Sequence, residues 1–588
     1  MNPILSLLDE YPVLDHRAFA LAKTFSAYYG CSLGEAIETF LPKALRQDKF
    51  THEPILPKGE TVRSVATAKG PSAPVQKAED VATLTSPALT VSSVKAETQQ
   101  STIILVHDQA REQRWPVVIE HIQRTIEDSK SAIVLVPENF FIEDTLRRLS
   151  GHFAGRVVVF DRGVNLKDEL GLWENIRKGI WPIVIGTRSA VFAPLPNLGL
   201  IVIDQEENEA YKQEQSPHYR VHEVARMRAG IDGCRLIFIS AAPSAEIWEK
   251  AGREKWETVS FARNDGGQVQ IIDMNNYNPA KTSLLSFALQ DAMRRTLDKN
   301  GTILLYLNRL GFSTRTHCQQ CGFIVRCERC DVHLTYLYSQ NRMVCRHCSL
   351  QKELPKICPA CKSAYLRSSG MGIEKLESEV ARLYPTARVH RFDRLNKIIP
   401  KGGDIILATQ AILRRRDAWS VSLVGVLNFD AQLNHVDFRS GEKAFALLVH
   451  FKQLAAEKLL IQTRLPDNYC LQAVKDLNFV RFYGQELKQR RELRLPPYRH
   501  LVALVARGKK EDAVFALSKD LFGRLEERKG KGLEVSDPHP DVNPKLRDQY
   551  RFTIIVKGKS VKKILKLVKA ALKGIRKKNI IVTVNVDP

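Results

Sequence analysis

The chain has 588 residues, with 88 Lys and Arg against 65 Asp and Glu, and so a formal charge of +23. Its balance of 44% apolar and 26% charged residues is that of a globular protein and excludes a mainly disordered chain. The longest apolar runs, around Ile103–Val106, Ala132–Val136 and Leu200–Ile203, fall far short of the roughly 20 residues of a spanning helix, so no membrane partner is expected. At roughly 150 residues per domain the length implies several domains. The opening stretch MNPILSLLDEYPVLD carries acids where a secretion signal carries bases, which makes the cytoplasm the expected location. A sequence pI of ≈ 9.5 favours a polyanionic partner, nucleic acid above all.

Residues 1–50 read as helical: Ala18, Leu21, Ala22, Phe25 and Tyr28 recur at three- and four-residue steps, as do Leu33, Ala36, Ile37 and Phe40. Residues 51–101 hold five prolines and no Phe, Trp or Tyr. Such a segment has too little to bury and reads as a flexible linker. From 102 to about 262, short apolar runs (TIILV, AIVLV, RVVVF, PIVIG, LIVID, RLIFIS) alternate with polar-faced helical stretches. Buried runs spaced by crossover helices predict a parallel sheet covered on both faces. The rhythm resumes at VQIID and TILLYL, breaks for a cysteine cluster, and returns in ARVHRF, DIILAT and LVGVLNF.

The predicted fold class is therefore α/β: two lobes (102–262, then 263–317 with 362–494), with a cysteine-rich module at 318–361 inserted in the second. Residues 495–588 read as a compact α+β domain in which RFTIIVKG is a strand and SVKKILKLVKAALKGI a helix. Val561, Ile564, Leu565, Val568, Leu572 and Ile575 line one face of that helix, and Lys562, Lys563, Lys566, Lys569 and Lys573 lie on the others. Residues 551–588 hold eleven Lys and Arg against the single acid Asp587. Lys562, Lys563 and Lys566 are the candidate DNA contacts there, with an affinity that falls steeply with salt.

Eight of the 11 cysteines pair as CxxC: Cys318 with Cys321, Cys327 with Cys330, Cys345 with Cys348, and Cys358 with Cys361. A CxxC turn lets two thiolates converge on one ion, and a tetrahedral zinc takes two such pairs. Two structural zinc ions are therefore expected as cofactors, each with all four ligands from protein and no open position for water. The spacing differs from that of ferredoxin-type iron–sulfur runs. His333 and His347 are near enough in sequence to substitute as ligands, and Arg326, Arg329, Arg342 and Arg346 crowd the same module.

This cluster and its surroundings resemble the PriA family of primosomal replication-restart helicases. The likeness runs from LYLNRLGFSTRTHCQQCG through CERCDVHLTY, CRHC and CPAC to GMGIEKLE and HRFDR. It extends to VIGTRSAVFAPLPNLGLIVIDQEE, AYKQEQSPHYRVHEVA, VDFRSGEKAFALL, LPPYRHLVALVARG and the opening LDHRAFALAKTFSAYYGCSLGEAIETFLP. The resemblance implies two RecA-like helicase lobes flanking a nucleotide site, and a protein that binds abandoned forks and helps reload the replicative helicase. It makes residues 1–50 the remnant of a domain that binds a 3′ DNA end, and sets the linker where a winged helix follows in the family.

Aligned on that family, the motor motifs are eroded. The phosphate loop falls on DQAREQRW, Asp108–Trp115, with no glycine, Arg114 at the Lys position and Trp115 at the Thr position. A phosphate loop needs glycine amides, a Lys and a Ser or Thr for magnesium, so ATP–magnesium loses its seat. The family's DEEH reads Asp204, Gln205, Glu206, Glu207, and an amide at Gln205 is a poor base. SATPS has become Ser240–Ser244 without its Thr, GxGTE has Ile373 between Gly372 and Glu374, and KGHD reads Arg414, Arg415, Arg416, Asp417. The two arginines of QVAGRAGR are replaced by Leu454 and Glu457. An arginine finger is worth about 10³–10⁵ in rate. Asp108, Arg114, Asp204, Gln205 and Glu206 then mark a vestigial nucleotide site, with no catalytic residue expected. Gly558-Lys559-Ser560 imitates a phosphate loop, but Thr553 stands where its first glycine belongs.

In the family an aromatic-rich loop after the acidic motif meets single-stranded DNA; Tyr211, Lys212, Gln213 and Tyr219 match it here, with tyrosines to stack bases and a lysine for phosphate. The resulting expectation is a DNA-binding replication-restart scaffold for branched forks and single strands that recruits primosome proteins and does not hydrolyse ATP. Two alternatives stand beside it: an active helicase with unorthodox motifs, and a zinc-containing module that binds RNA or a protein partner.

Overall fold

The computed structural model describes residues 13–46, 103–110, 112–160, 165–262, 267–277, 283–307, 315–337, 341–345, 347–369, 372–393, 404–414, 420–434, 437–575 and 579–588. The expected linker 51–101, Arg346, Gly370 and Arg415–Asp417 lie outside the described residues.

The first lobe is one seven-stranded sheet of parallel strands: β1 (Ile103–Asp108), β2 (Ser131–Leu135), β3 (Val157–Phe160), β4 (Ile183–Gly186), β5 (Leu198–Asp204), β6 (Arg235–Ser240) and β7 (Glu257–Phe261), in the order β3-β4-β2-β5-β6-β1-β7. Its central strands are buried almost along their whole length, and apolar but for Ser131 and Asp204 at their ends, because helices cover both faces. The second lobe starts with β8 (Gln268–Asp273) and β9 (Ile303–Tyr306), at which point the cysteine module interrupts it. That module contributes β10 (Arg315–Cys318), β11 (Thr335–Leu337), β12 (Arg342–Val344), β13 (Gln351–Glu353) and β14 (Leu366–Ser369). Antiparallel pairing of β10 with β14 closes its entry against its exit, so the insertion leaves the host sheet undisturbed. The lobe continues with β15 (Val389–Phe392), β16 (Ile405–Ala408), β17 (Val421–Val426) and β18 (Ala455–Thr463) in the parallel order β15-β16-β9-β17-β18-β8.

The C-terminal domain is an antiparallel sheet of β19 (His500–Gly508), β20 (Glu534–Val535), β21 (His539–Leu546), β22 (Gln549–Gly558) and β23 (Ile580–Val586). Helices Glu511–Arg528 and Val561–Leu572 pack on it. This is the α/β architecture with an inserted module and a C-terminal α+β domain that the sequence predicts. Among the described residues no helix is long and apolar enough to cross a membrane.

The N-terminal helices His16–Tyr29 and Leu33–Phe40 hold the lobe and this domain together. Asp15 caps the first through Ala18 N at 2.7 Å, and Ser32 with Glu35 forms a reciprocal capping box on the second. Gly30, at φ 71°, ends the first helix and lets the chain turn directly. Leu21, Ala22, Phe25 and Tyr29 face inward and share one core with lobe 1 and with Ile564, Leu565 and Val568 of the C-terminal helix. Phe25 meets Phe192 and Tyr219 edge-on at 5.9 and 5.7 Å. Burial of a side chain of this size is worth about 1.5–3 kcal/mol, so the contact fixes the relative placement of three segments distant in sequence.

Candidate functional site

The crevice at the carboxyl ends of β1 and β5 is where a parallel α/β sheet binds its ligand. Here it is filled from within. Asp108, the last residue of β1, turns its carboxylate onto the start of helix Arg114–Glu127: Oδ2 accepts from Arg114 N at 3.2 Å and Oδ1 from Ala110 N at 3.1 Å. A carboxylate thus satisfies the first amide of the helix and one amide of the loop before it, as a phosphate would. The Arg114 guanidinium folds back between two acids, with Nη1 at 3.3 Å from Asp108 Oδ2 and Nε at 3.0 Å from Asp204 Oδ1. All three side chains are buried, with residue exposures of 2% for Asp108, 7% for Arg114 and 3% for Asp204. Burial raises the pKa of Asp108, opposed by Arg114 and the two amides.

The rest of the acidic motif is tied into the scaffold. Glu206 accepts from Ser244 N (2.5 Å) and Ser244 Oγ (2.9 Å) and meets His222 Nε2 at 3.0 Å. Glu207 accepts from Ser240 Oγ at 2.7 Å. Gln205 sits at φ 54° with Nε2 buried and unbonded. The facing lobe reaches the segment after β1: Gln453 Nε2 donates to Gln109 O at 3.0 Å. Leu454 is buried and Glu457 is exposed.

Behind the crevice the lobes share a buried charge cluster for which the sequence gives no signal. Glu442 Oε2 caps the helix Ala245–Arg253 through Ala245 N at 2.9 Å, and Arg490 reaches Glu442 (2.8 Å), Glu486 (2.7 Å) and Glu246 (3.3 Å). Arg439 also binds Glu246, at 2.9 Å. Burial, joined by Glu246, pushes the Glu442 carboxyl up to about 7 against Arg490 and Arg439. Trp248 of lobe 1 stacks on Tyr483 of lobe 2 at 4.3 Å, and His107 meets Phe479 edge-on at 4.5 Å.

The expected base-stacking loop is corrected by its burial. Tyr211 is wholly buried, its hydroxyl 2.6 Å from Asp204 O and 2.9 Å from Leu135 O. Tyr219 is 3% exposed and lies in the aromatic cluster with Phe25 and Phe192. Lys212 Nζ donates to Val586 O (2.7 Å) and Asp587 O (3.0 Å), which clamps lobe 1 to the end of β23. Burial, Arg220 and Arg439 together hold that ammonium well below its usual pKa. The two tyrosine rings are turned inward, Tyr211 into its own lobe and Tyr219 against the N-terminal helices, and the half-buried Lys212 commits its ammonium to the C-terminal segment. Lys562, Lys563 and Lys566 do face solvent, on the side of their helix opposite buried Ile564, Leu565 and Val568.

The cysteines form two sets that could each hold a metal ion: Cys318, Cys321, Cys358 and Cys361, and Cys327, Cys330, Cys345 and Cys348. Within each set the four sulfurs all lie within 4.8 Å of one another. The first pair thus joins the fourth, and the second joins the third. All four turns share one geometry. The residue after each second cysteine donates its N–H to the carbonyl of the first: Gly322 to Cys318 (3.0 Å), Asp331 to Cys327 (2.8 Å), Ser349 to Cys345 (2.9 Å) and Lys362 to Cys358 (2.9 Å). Each of those donors has positive φ, between 53° and 74°. His333 and His347 belong to neither set. Arg326 is paired with Asp331 and Arg329 with Asp548, and both remain substantially exposed.

Comparison with known proteins follows this layout. Residues 491–588 match the family model described as primosomal protein N C-terminal domain, and residues 1–42 match that of the 3′ DNA-binding domain. The replication restart protein PriA of Bacillus subtilis is 31% identical over 84% of this chain and 64% of its own length. That of Treponema pallidum is 28% identical over 100% of this chain and 89% of its own. The chain therefore spans just under two thirds of the Bacillus relative. Among solved structures, RecG bound to a three-way DNA junction overlays 67% of this chain and 44% of that one, at 13% identity and a TM-score of 0.38.

Proposed function

We propose that this chain, which belongs to the PriA family of replication restart proteins, is a non-hydrolysing DNA-binding scaffold for primosome assembly at stalled or branched forks. The observation that carries the reading is the Asp108–Arg114–Asp204 clasp. A bound nucleotide would have to displace a buried carboxylate from the amides of Ala110 and Arg114 and a buried guanidinium from two acids. Neither partner could then be left uncompensated without several kcal/mol of penalty, about 3–5 kcal/mol for breaking a buried pair. The contacts between Gln453 and Gln109, Glu442 and Ala245, and Trp248 and Tyr483 also join the two lobes across the crevice that a motor must open and close.

DNA is met by the exposed lysine face of helix Val561–Leu572 and, on the family likeness, by the N-terminal helices. Each cysteine set holds one structural zinc. Sulfurs around a tetrahedral zinc at about 2.3 Å are about 3.8 Å apart, and Cys318 with Cys361, Cys321 with Cys358, and Cys327 with Cys348 stand at 3.6 Å. Four thiolates leave no position for a reacting water, so the ions order the module. The protein acts in the cytoplasm, where replication forks are, alongside the primosome proteins it gathers.

Fork binding, DNA-stimulated ATPase and zinc content measured on one preparation test this reading. Tight fork binding, two zinc ions per chain and no ATP turnover are expected. Turnover abolished by Asp204→Ala would overturn the inactive-motor reading, and RNA bound more tightly than forks at equal salt would overturn the replication reading.

A further inference from the structure

The connection between β21 and β22 pairs Leu546 with Gln549 and so leaves a two-residue turn, Arg547-Asp548. Both residues are left-handed, at φ 50° and 63°, and they are the only two consecutive non-glycine residues with positive φ among the described ones. A turn with both central residues left-handed suits the twist of a hairpin but ordinarily takes Asn-Gly or Gly-Gly. Here an arginine and an aspartate hold it, a strain that persists only where surroundings impose it.

Those surroundings are the cysteine module. Arg547 N donates to Cys330 Sγ at 3.4 Å, and Asp548 N donates to Arg329 O at 2.9 Å. Lys545 Nζ donates to Glu328 O at 2.9 Å. Leu546 packs on the small core of the module beside Cys327, Cys330, Met343 and Cys345. Residues 545–548 therefore cover one knuckle, Cys327–Cys330, and Cys330 is only 1% exposed beneath them.

We propose that the β21–β22 tip is the outer shell of the second metal site, so that zinc held by Cys327, Cys330, Cys345 and Cys348 and docking of the C-terminal domain stabilise one another. A thiolate that ligates zinc carries negative charge, and a backbone N–H aimed at it strengthens the ligand set and fixes its orientation. Without the ion the sulfur carries a proton and no charge, and a neutral thiol is a much weaker acceptor for the same amide. Binding at one end thus favours order at the other, and the coupling is reciprocal. The first site, Cys318, Cys321, Cys358 and Cys361, has no such contact with the C-terminal domain among the described residues. The inference rests on the zinc reading given above.

The test uses the full chain, loaded with zinc and counted by mass spectrometry, then stripped by a chromophoric chelator. Leu546→Asp removes the packing of the tip; Arg547→Gly keeps the N–H and suits positive φ. With Leu546→Asp, one of the two zinc ions leaves about tenfold faster or more, on the scale of outer-shell losses, while the other keeps its rate. Arg547→Gly releases both as the parent does. In the reverse direction, Cys345→Ser raises hydrogen exchange across residues 543–550, and Cys358→Ser does not. A chain with no zinc overturns the zinc reading and this inference together. Two zinc ions whose release is unchanged by Leu546→Asp, or equal exchange in the two cysteine variants, overturns the coupling alone.

Discussion

Arg114 and Asp204, contributed by the first helix and the fifth strand of one lobe, form a buried ion pair with Nε 3.0 Å from Oδ1. Asp108 holds the other side of the same guanidinium at 3.3 Å. The clasp occupies the ground between strand ends on which a parallel α/β sheet ordinarily receives a phosphate. Its arrangement makes Arg114 a bridge between two buried acids.

Arg114→Ala leaves those acids facing each other without that countercharge. The expected loss is about 3–5 kcal/mol, the range for removing one partner of a buried pair. Asp108→Asn in the same background relieves the repulsion and recovers part of it. Thermal unfolding of the three proteins at neutral pH checks this; an Arg114→Ala protein as stable as the parent would remove the clasp from the account.

Gly30 stands at φ 71°, and a Cβ there would lie 3.0 Å from Leu565 Cδ2. Gly30→Ala therefore incurs backbone strain, about 1 kcal/mol, and presses on the C-terminal helix where the N-terminal helices dock. Faster proteolysis of residues 13–46 is expected. Leu565→Ala in the same protein relieves the contact but not the strain, so the rescue should be partial.

The pair of His500 and Asp587, at 2.9 Å, ties the start of β19 to the end of β23 and gives the C-terminal domain a pH-dependent stability. Burial lowers the His500 pKa, but the hydrogen bond and charge of Asp587 outweigh it and set the result above the ordinary 6.5. A histidine whose folded pKa is raised contributes stability that is fully present below the unfolded value and disappears as pH rises through the folded one. The melting temperature of the parent should fall as pH is raised from about 6.5, and that slope should flatten in His500→Asn. A slope unchanged by the substitution assigns the pH dependence to other groups.

Lys562, Lys563 and Lys566 share an exposed face with little acid nearby in sequence. Replacing all three with alanine should weaken DNA binding alike for different sequences. It should also lower the slope of log affinity against log salt by about 0.9 for each phosphate that a lysine no longer neutralises on duplex DNA. Filter binding across a salt series reads both. An unchanged slope places the DNA elsewhere on the surface.

The sheets were legible because strands buried on both faces read as continuous apolar runs, AIVL, IVIG and LIVI among them. The metal-binding capacity was legible because CxxC is a local constraint, set by one turn. Tyr211, Lys212 and Tyr219 misled for the opposite reason. An aromatic loop reads as a binding surface until the fold covers it; here β23 meets Lys212, the N-terminal helices meet Tyr219, and Tyr211 turns into its own lobe. The charge cluster of Glu246, Arg439, Glu442 and Arg490 had no spacing to announce it, since its members come from three helices and a loop in both lobes.

Length, charge and motif spacing determined the lobes, the inserted module, the basic C-terminal domain and the absence of a glycine-rich phosphate loop, because each is a property of neighbours along the chain. The +23 charge pointed to a polyanion without giving it a place. Only the tertiary structure decided that the outer CxxC pairs share one site and the inner pairs the other, that Arg114 closes on Asp204, and that Lys212 binds backbone carbonyls. Those relations join residues distant in sequence, and their energies depend on which groups leave water together.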